Sequence, residues 1–508
     1  MTVAPPRRIA DNVAVRLLAE QAFSRAAGAP LLEGNRVDLL IDARANFDAW
    51  LAAIRSAQSL ILLENYIFRD DATGREFRDA LTERAGAGVR ICVIRDWMGC
   101  LGQSGTHFWQ PLAAAGGEVR TYNPFQFSSP FGWLSRDHRK LLVIDNTVAF
   151  VGGICVSGSW LGDPERGIAP WRDTAVAVRG PALRDLANAF ADTWSTLGEA
   201  LSNDVLELTE RCLPSGQVDL RVVATVPNTA GLYRLDQLIS AMARRSLWIS
   251  DAYFVGVAPY VQALSAAARD GVDVRLLVPG TSDVPAVAAI SRAGYRPLLE
   301  AGVRVFEWNG SMMHAKTAVA DCRWARVGSS NLNLASWIGN CELDIAIEDE
   351  AFARCMEAQY ESDLGNATEI VLKLPRRWRK SNTGAPAPES DAAAEASDAA
   401  PPPSPTPESP ASARKGPPYP RARGGSSGRA AAGALRLANS VGAAIANRRV
   451  LGRSESGPLL IAAVPLLVCA LIGFLWPRII AWPLAVLTFW IGSSLVVRYF
   501  QTRKRTPS

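Results

Sequence analysis

The chain contains three histidines, and two of them open the same motif. His138-Arg-Lys140-Leu-Leu-Val-Ile-Asp145 and His314-Ala-Lys316-Thr-Ala-Val-Ala-Asp321 both read H-x-K-x4-D. Each is followed by a turn of small residues, Gly152-Gly153 in one case and Gly328-Ser329-Ser330-Asn331 in the other. A residue this scarce, used twice at one spacing, points to a shared task rather than to two incidental core histidines. The residues after each histidine are apolar and β-prone, so each motif is expected to be a strand. Side chains two apart on a strand point to the same face, so each His-Lys pair emerges side by side. An imidazole beside an ammonium suits a phosphate ester: the neutral ring attacks phosphorus while the lysine neutralises the non-bridging oxygens.

Two such pairs permit a division of labour. One histidine forms a phosphohistidine; the other protonates the leaving alkoxide and then deprotonates the incoming alcohol or water. No His-rich or Cys-x-x-Cys spacing suggests a metal cluster, so neither metal nor cofactor is expected.

The elements that must position these pairs repeat as well. Ser59-Leu-Ile-Leu-Leu-Glu64-Asn-Tyr66 parallels Ser246-Leu-Trp-Ile-Ser-Asp251-Ala-Tyr253. The runs beginning at Gly88 and Gly117 likewise have partners at Gly271 and Gly302. Short β-rich runs alternating with helical stretches argue for an α/β fold. The expectation is two tandem α/β halves, 37–200 and 218–365, after an N-terminal segment 1–36, with both His-Lys pairs in one shared active site. Glu64 and Asp251 are read as strand-end polar residues rather than substrate contacts. His107, outside the repeat, is read as incidental. The stretch from Tyr122 to Asp137, rich in aromatics, prolines and glycine, is read as a rim around substrate access that touches lipid.

Beyond residue 375 the composition changes to Ala, Pro, Ser and Gly, so 375–457 is expected to be a disordered linker carrying a small basic helix. Within 458–497, Pro458–Trp476 and Ile479–Val497 carry no charge, each long enough for a transmembrane helix, and together they predict a hydrophobic helical hairpin. Arg448, Arg449 and Arg453 precede it and Arg498, Arg503, Lys504 and Arg505 follow, which places both ends in the cytoplasm. No stretch of signal-peptide type precedes residue 30, and the eight cysteines are scattered, as in a reduced compartment. The formal net charge of +5 favours an anionic lipid surface.

The paired motifs resemble those of the phospholipase D superfamily over roughly residues 35–375. The closer resemblance is to bacterial cardiolipin synthases of the phospholipase D type. Glu64-Asn-Tyr-Ile-Phe68, His138 to Asp145 with Gly152-Gly153, Trp171-Arg-Asp-Thr, Asp251-Ala-Tyr-Phe254 and His314 to Leu332 carry it. Gly153 stands where the family often has Ser, and Cys155 where it often has Asn. The resemblance implies catalytic roles for His138, Lys140, Asp145, His314, Lys316 and Asp321, although Asp145 and Asp321 suit bracing a turn as well as catalysis. It implies support from Asn331 and from carboxylates some thirty residues downstream of each histidine, Asp173 and Glu342. It further implies phosphatidyl transfer to make cardiolipin from phosphatidylglycerol or a related phospholipid, on the inner membrane of a bacterium. Phospholipase D hydrolysis to phosphatidic acid is the alternative. A nuclease of the superfamily is the rival from another class, and no nucleic acid is expected because Lys and Arg form no dense run in the catalytic body. A lipid-binding scaffold with a degenerate site fits poorly, since no His or Lys of either motif is missing.

Overall fold

In the computed structural model, residues 8–125, 135–202, 205 and 212–372 are described, with scattered positions between 475 and 493. After helix α1 (Arg8–Ala27) the chain forms strand β1 (Leu32–Ile41), helix α2 (Asp42–Ser56), β2 (Leu60–Asn65), α3 (Ala72–Gly86), β3 (Arg90–Asp96), α4 (Thr106–Ala114) and β4 (Glu118–Tyr122). Strands β5 (Lys140–Ile144), β6 (Val148–Gly152) and β7 (Thr174–Arg179) and helix α5 (Ala182–Thr196) complete the first half. The second half contributes β8 (Val218–Thr225), β9 (Ser246–Ser250), β10 (Asp273–Pro279), β11 (Arg304–Trp308), β12 (Thr317–Ala320), β13 (Trp324–Gly328), β14 (Glu342–Glu348) and β15 (Ala367–Ile370).

The strand order exposes the repeat. From the centre outward, the first half runs β1-β7-β6-β5-β2-β3-β4 and the second β8-β14-β13-β12-β9-β10-β11, with β15 added at its edge. Strand for strand the two orders correspond, and β1 pairs with β8 to join them. In each half the motif strand lies antiparallel to the strand ending in Asn65 or Ser250, so its histidine end meets the carboxyl ends of the parallel strands.

Residue alternation assigns the layers. Ile61 and Leu63 of β2 pack with Phe47, Trp50 and Phe77 of α2 and α3 on the outer face. Leu60 and Leu62 point the other way, into a core shared with Val222, Val327 and Ile345 of the second half. β2 is apolar on both faces, as its position between two layers demands. Helices α2 and Gly231–Met242 present one apolar stripe each, Phe47, Trp50, Leu51 and Ile54 in the first and Leu232, Leu235 and Ile239 in the second.

The expected linker 375–457 falls outside the described residues, as does most of the expected hairpin 458–497. Among the described residues, no helix is long and apolar enough to cross a membrane.

Candidate active site

Each histidine stands just before its motif strand, where backbone from the other half reaches it. The His138 amide donates to the Cys341 carbonyl at 2.9 Å, and the His314 amide donates to the Arg172 carbonyl at 2.7 Å. These rungs fix which side chains meet. His138 Nδ1 lies 2.9 Å from Glu342 Oε2, and His314 Nδ1 lies 2.7 Å from Asp173 Oδ2. The carboxylates are those expected from the resemblance, but they are exchanged: each orients the histidine of the opposite half. Neither half supplies the carboxylate for its own histidine.

A carboxylate at Nδ1 selects the tautomer with a proton there, which leaves Nε2 with a lone pair for chemistry. Both carboxylates are themselves fixed. Ser329 Oγ donates to Glu342 Oε2 at 2.6 Å, and Asn340 Nδ2 donates to Oε1 at 3.2 Å. Trp160 Nε1 donates to Asp173 Oδ2 at 2.8 Å, and the Thr174 amide donates to Oδ1 at 2.8 Å. Trp160 was not legible as a site residue, because its signal, a lone indole in a Gly- and Ser-rich loop, resembles ordinary packing.

The repeat explains Gly153. It occupies the place of Ser329, but a Cβ there would lie 2.3 Å from Asp173 Oδ1. The first half therefore has room for the carboxylate only without a side chain at 153, whereas the second uses a serine to hold the longer Glu342. Cys155 similarly stands where the second half has Asn331. Its buried thiol is in electrostatic range of both Lys140 and Lys316, and burial pushes its pKa up. Asn331 is buried beside the site, its amide accepted by Ser336 Oγ at 3.2 Å, and its Oδ1 has no hydrogen-bond partner among the described residues.

Lys140 and Lys316 are fully buried, each donating to the carbonyl of its own histidine. Lys316 Nζ also lies 3.0 Å from His314 Nδ1. Tyr66 and Tyr253, which follow equivalent strands, place their rings 5.0 and 5.7 Å from the two ammonium groups. The tyrosine edges also meet the imidazoles, Tyr66 at 4.8 Å from His138 and Tyr253 at 5.8 Å from His314. Their matched position in the repeat was the signal that could have marked them.

Electrostatics follow from this crowding. Burial lowers the His138 pKa to about 4, reinforced by Lys140 and opposed by Glu342. Burial and Lys316 lower His314 to about 4, against the pull of Asp173. Lys316 falls to about 8 because burial disfavours its charge and Lys140 repels it, with Asp173 opposing. For Asp173, burial alone acts upward, but His314, Lys316 and the Trp160 hydrogen bond outweigh it and bring the carboxyl to about 2. Neutral imidazoles, ionised carboxylates and paired cations make a site for an anionic phosphodiester, with one ring free to attack phosphorus and the other free to take up and pass on a proton.

Asp145 and Asp321 bind backbone at the other end of the motif strands, in the manner of the turn-bracing alternative read from the sequence. They sit in left-handed conformations, φ 47° and 53°, opening the β5–β6 and β12–β13 hairpins. Asp145 accepts backbone amides of Gln58, Ser59 and Leu60 at 2.6–2.8 Å. Asp321 accepts those of Arg244, Arg245 and Ser246 at 2.7–3.0 Å. At about 3.3 Å per residue the motif aspartate lies roughly 20 Å along the strand from its histidine. Each fastens the far end of the neighbouring strand.

Glu64 and Asp251 are buried at strand ends, as read from the sequence. Asp251 accepts the Leu332 and Tyr253 amides at 2.7 and 3.0 Å, which ties the turn carrying Asn331 to the end of β9. His107 is exposed on α4, outside the site. Of the aromatic rim, 126–134 lie outside the described residues, while Phe125 is partly exposed.

A family model described as cardiolipin synthase, PLD-like domain, matches residues 50–161 and 235–364. The cardiolipin synthase of Clostridium perfringens is 32% identical over 353 residues, which cover 67% of this chain and 72% of that protein. Cardiolipin synthase A of Pseudomonas aeruginosa is 34% identical over 370 residues, 71% of this chain and 73% of that one. Among solved structures, phosphatidylserine synthase of Haemophilus influenzae superposes with a TM-score of 0.54 at 14% identity, covering 69% of this chain and 91% of that chain, and so shares the fold.

Proposed function

This chain belongs to the cardiolipin synthase, PLD-like family, and we propose that it is a phosphatidyltransferase that makes cardiolipin from phosphatidylglycerol or a related phospholipid. The observation that carries this reading is the pair of buried imidazoles, each oriented by the opposite half and each beside a lysine. His138 is assigned as nucleophile. Its Nε2 attacks the donor phosphorus, the bond to the headgroup oxygen breaks, and a phosphatidyl-histidine forms. His314 is assigned as the proton carrier. The phosphodiester adds negative charge beside its ring and favours the protonated state, so that it can give a proton to the departing glycerol. His314 then takes the proton of the acceptor hydroxyl as that oxygen attacks phosphorus and frees His138. Lys140, Lys316 and Asn331 are assigned to the phosphate oxygens, and Asp173 and Glu342 to orientation.

Water in place of the acceptor alcohol would give phosphatidic acid, so exclusion of water separates transfer from hydrolysis. Both histidines are at most 7% exposed, which favours transfer. Residence at a bacterial inner membrane, with the catalytic body on the cytoplasmic side, is proposed from the lipid substrates and the flanking basic residues.

The test is turnover of phosphatidylglycerol in mixed micelles with products resolved by mass spectrometry. Cardiolipin plus glycerol is expected, lost in both His138→Ala and His314→Ala. Phosphatidic acid without cardiolipin would make the enzyme a hydrolase. Substantial transfer by His314→Ala would defeat the shared site.

A further inference from the structure

The two halves differ at a buried place beside the site lysines. Spacing in the sequence sets Glu64 against Asp251, but the sheet sets Asn65 there. Asp145 accepts the amides of Ser59 and Leu60, and Asp321 those of Arg245 and Ser246, so Leu60 and Ser246 occupy equivalent positions. Their parallel partners agree: Arg90 and Asp273 each stand two residues past the matched glycines Gly88 and Gly271. Counted from that pair, Asn65 and Asp251 match. The Oδ1 of Asn65 accepts the Val156 amide at 3.4 Å, and Oδ2 of Asp251 accepts the Leu332 amide at 2.7 Å. Val156 follows Cys155 and Leu332 follows Asn331, the two positions matched above. One half thus carries an amide where the other carries a carboxylate of the same shape.

Each of these side chains shares a face with a site lysine. Asn65 and Lys140 are direct cross-strand partners and point to the same side. Ser250 pairs with Thr317, so Asp251 and Lys316 hold the corresponding places just beyond them. All four are at most 1% exposed. Burial pushes Asp251 up to about 7, while the Leu332 amide, Lys316 and Arg326 draw it down. Arg326 is already matched by Asp236 at 3.5 Å and Asp344 at 3.2 Å, which leaves Lys316 as the cation that Asp251 balances. Tyr260, on the helix Ala258–Arg269, also faces Asp251. Lys316 in turn has Asp173 and Asp251 as anionic neighbours, with Lys140 and the Cys155 thiol also in range. Lys140 has Glu342 in the site and Glu64 on the opposite face of β2, where Arg139 pairs with Glu64 at 3.8 Å.

The difference reaches the histidines unequally. Lys316 Nζ lies 3.0 Å from His314 Nδ1, so its charge opposes a proton on that ring. A carboxylate beside Lys316 offsets that opposition. Beside Lys140, the amide of Asn65 adds no charge, and its Nδ2 has no hydrogen-bond partner among the described residues. We propose that Asp251 and Asn65 are positioning residues that divide the two roles. The carboxylate, acting through Lys316, makes His314 the ring that takes up and passes on the proton, and the uncharged amide leaves His138 as the neutral nucleophile. The inference rests on the lipid-transfer reading and adds what makes its two histidines unequal. His314 Nε2 gives its proton to the departing headgroup oxygen as the bond from His138 to phosphorus forms and the bond to that oxygen breaks. It regains a proton from the incoming hydroxyl.

The experiment compares Asp251→Asn and Asn65→Asp in the full chain, in mixed micelles, from about pH 5.5 to 9. Each variant is given phosphatidylglycerol or a phosphatidyl donor with a p-nitrophenol leaving group. Asp251→Asn removes an anion beside Lys316, so the ammonium loses its proton at lower pH. The alkaline limb of kcat/KM should move down by about one pH unit with either donor. At about pH 6.5, turnover of phosphatidylglycerol should fall roughly tenfold, and the p-nitrophenol donor, which needs no proton, should recover most of that loss. Asn65→Asp puts an anion beside the attacking half and should slow both donors alike, by roughly tenfold. An alkaline limb that stays in place in Asp251→Asn, or a loss there equal with both donors, would mean a packing role and overturn the proposal. So would an Asn65→Asp variant that is slow with phosphatidylglycerol alone. The limb is read from the shape of the profile, so partial unfolding does not obscure it, and Asn65→Asp still decides the matter if Asp251→Asn fails to fold. Release of p-nitrophenol requires no particular acceptor alcohol, so these profiles test the proposal whichever product forms. Absence of cardiolipin from the wild-type reaction would instead defeat the lipid-transfer reading, so the two failures are distinguishable.

Discussion

Asp173→Asn is the sharpest probe of the crossed site, because the amide cannot reproduce the bonds the carboxylate makes. Oδ2 accepts from both Trp160 Nε1 and His314 Nδ1, while Oδ1 accepts from the Thr174 amide. If the new oxygen takes the Oδ2 place, its NH2 faces the Thr174 N–H. If the amide is reversed, NH2 faces the indole N–H and the imidazole must move its proton to Nε2. Either placement leaves a buried donor unpaired, at a cost of about 1–3 kcal/mol in stability. The reversed placement also fixes the wrong tautomer, for which about 10²- to 10⁴-fold in turnover is reasonable. Because Asp173 serves His314, the loss should fall on the proton carrier. A phosphatidyl donor with a p-nitrophenol leaving group needs no proton, so formation of the phosphatidyl-histidine by Asp173→Asn should recover to within about tenfold of wild type. Glu342→Gln, which disturbs His138, should stay slow with either donor. Acid quench and mass spectrometry of the covalent intermediate provide the assay. Rescue of Glu342→Gln but not of Asp173→Asn would refute the assignment of roles, and unchanged turnover in both variants would refute the orienting function.

The remaining predictions concern stability and the repeat. Both histidines have folded pKa values near 4, below their ordinary 6.5, so the unfolded chain binds protons first as pH falls. Stability should therefore drop between about pH 6.5 and 4, by roughly 3 kcal/mol per histidine, and urea titrations of His138→Ala should show a shallower slope there. Lys316 loses its proton near pH 8, so kcat/KM should fall on the alkaline side and Lys316→Arg should move that limb upward or abolish it. Gly153→Ser should push Asp173 off His314 and reduce turnover about 100-fold, whereas Ser329→Gly should lose the hydrogen bond to Glu342, roughly 1.5–3 kcal/mol, together with the acceptor of the Leu343 amide. Asp145→Ala should lower the melting temperature, as the Gln58, Ser59 and Leu60 amides lose their acceptor, while the folded fraction keeps near-normal turnover.

What the sequence made legible, and what it hid, divides along one physical line. His138 and Lys140 lie two apart in the extended approach to β5, and His314 and Lys316 two apart in the approach to β12; extended backbone puts each pair on one face. The matched runs at Ser59 and Ser246 likewise announced equivalent strands, which lie at corresponding places in the sheet. The motif aspartates carried an ambiguous local signal, since a left-handed hairpin position and a catalytic acid favour the same residue type. The exchange of Asp173 and Glu342 had no local signal at all. Thirty residues of separation suggest a partner within the same half, yet the pairing arises from a two-fold relation between halves that no spacing encodes. That relation has a functional consequence. Because the carboxylate that orients each histidine comes from across the interface, neither half supplies that partner by itself, and docking of the halves is coupled to formation of the nucleophile. Gly153 shows how closely the coupling constrains the chain. Its Cβ is forbidden by a carboxylate twenty residues further on, and that carboxylate's purpose lies in a histidine of the other half.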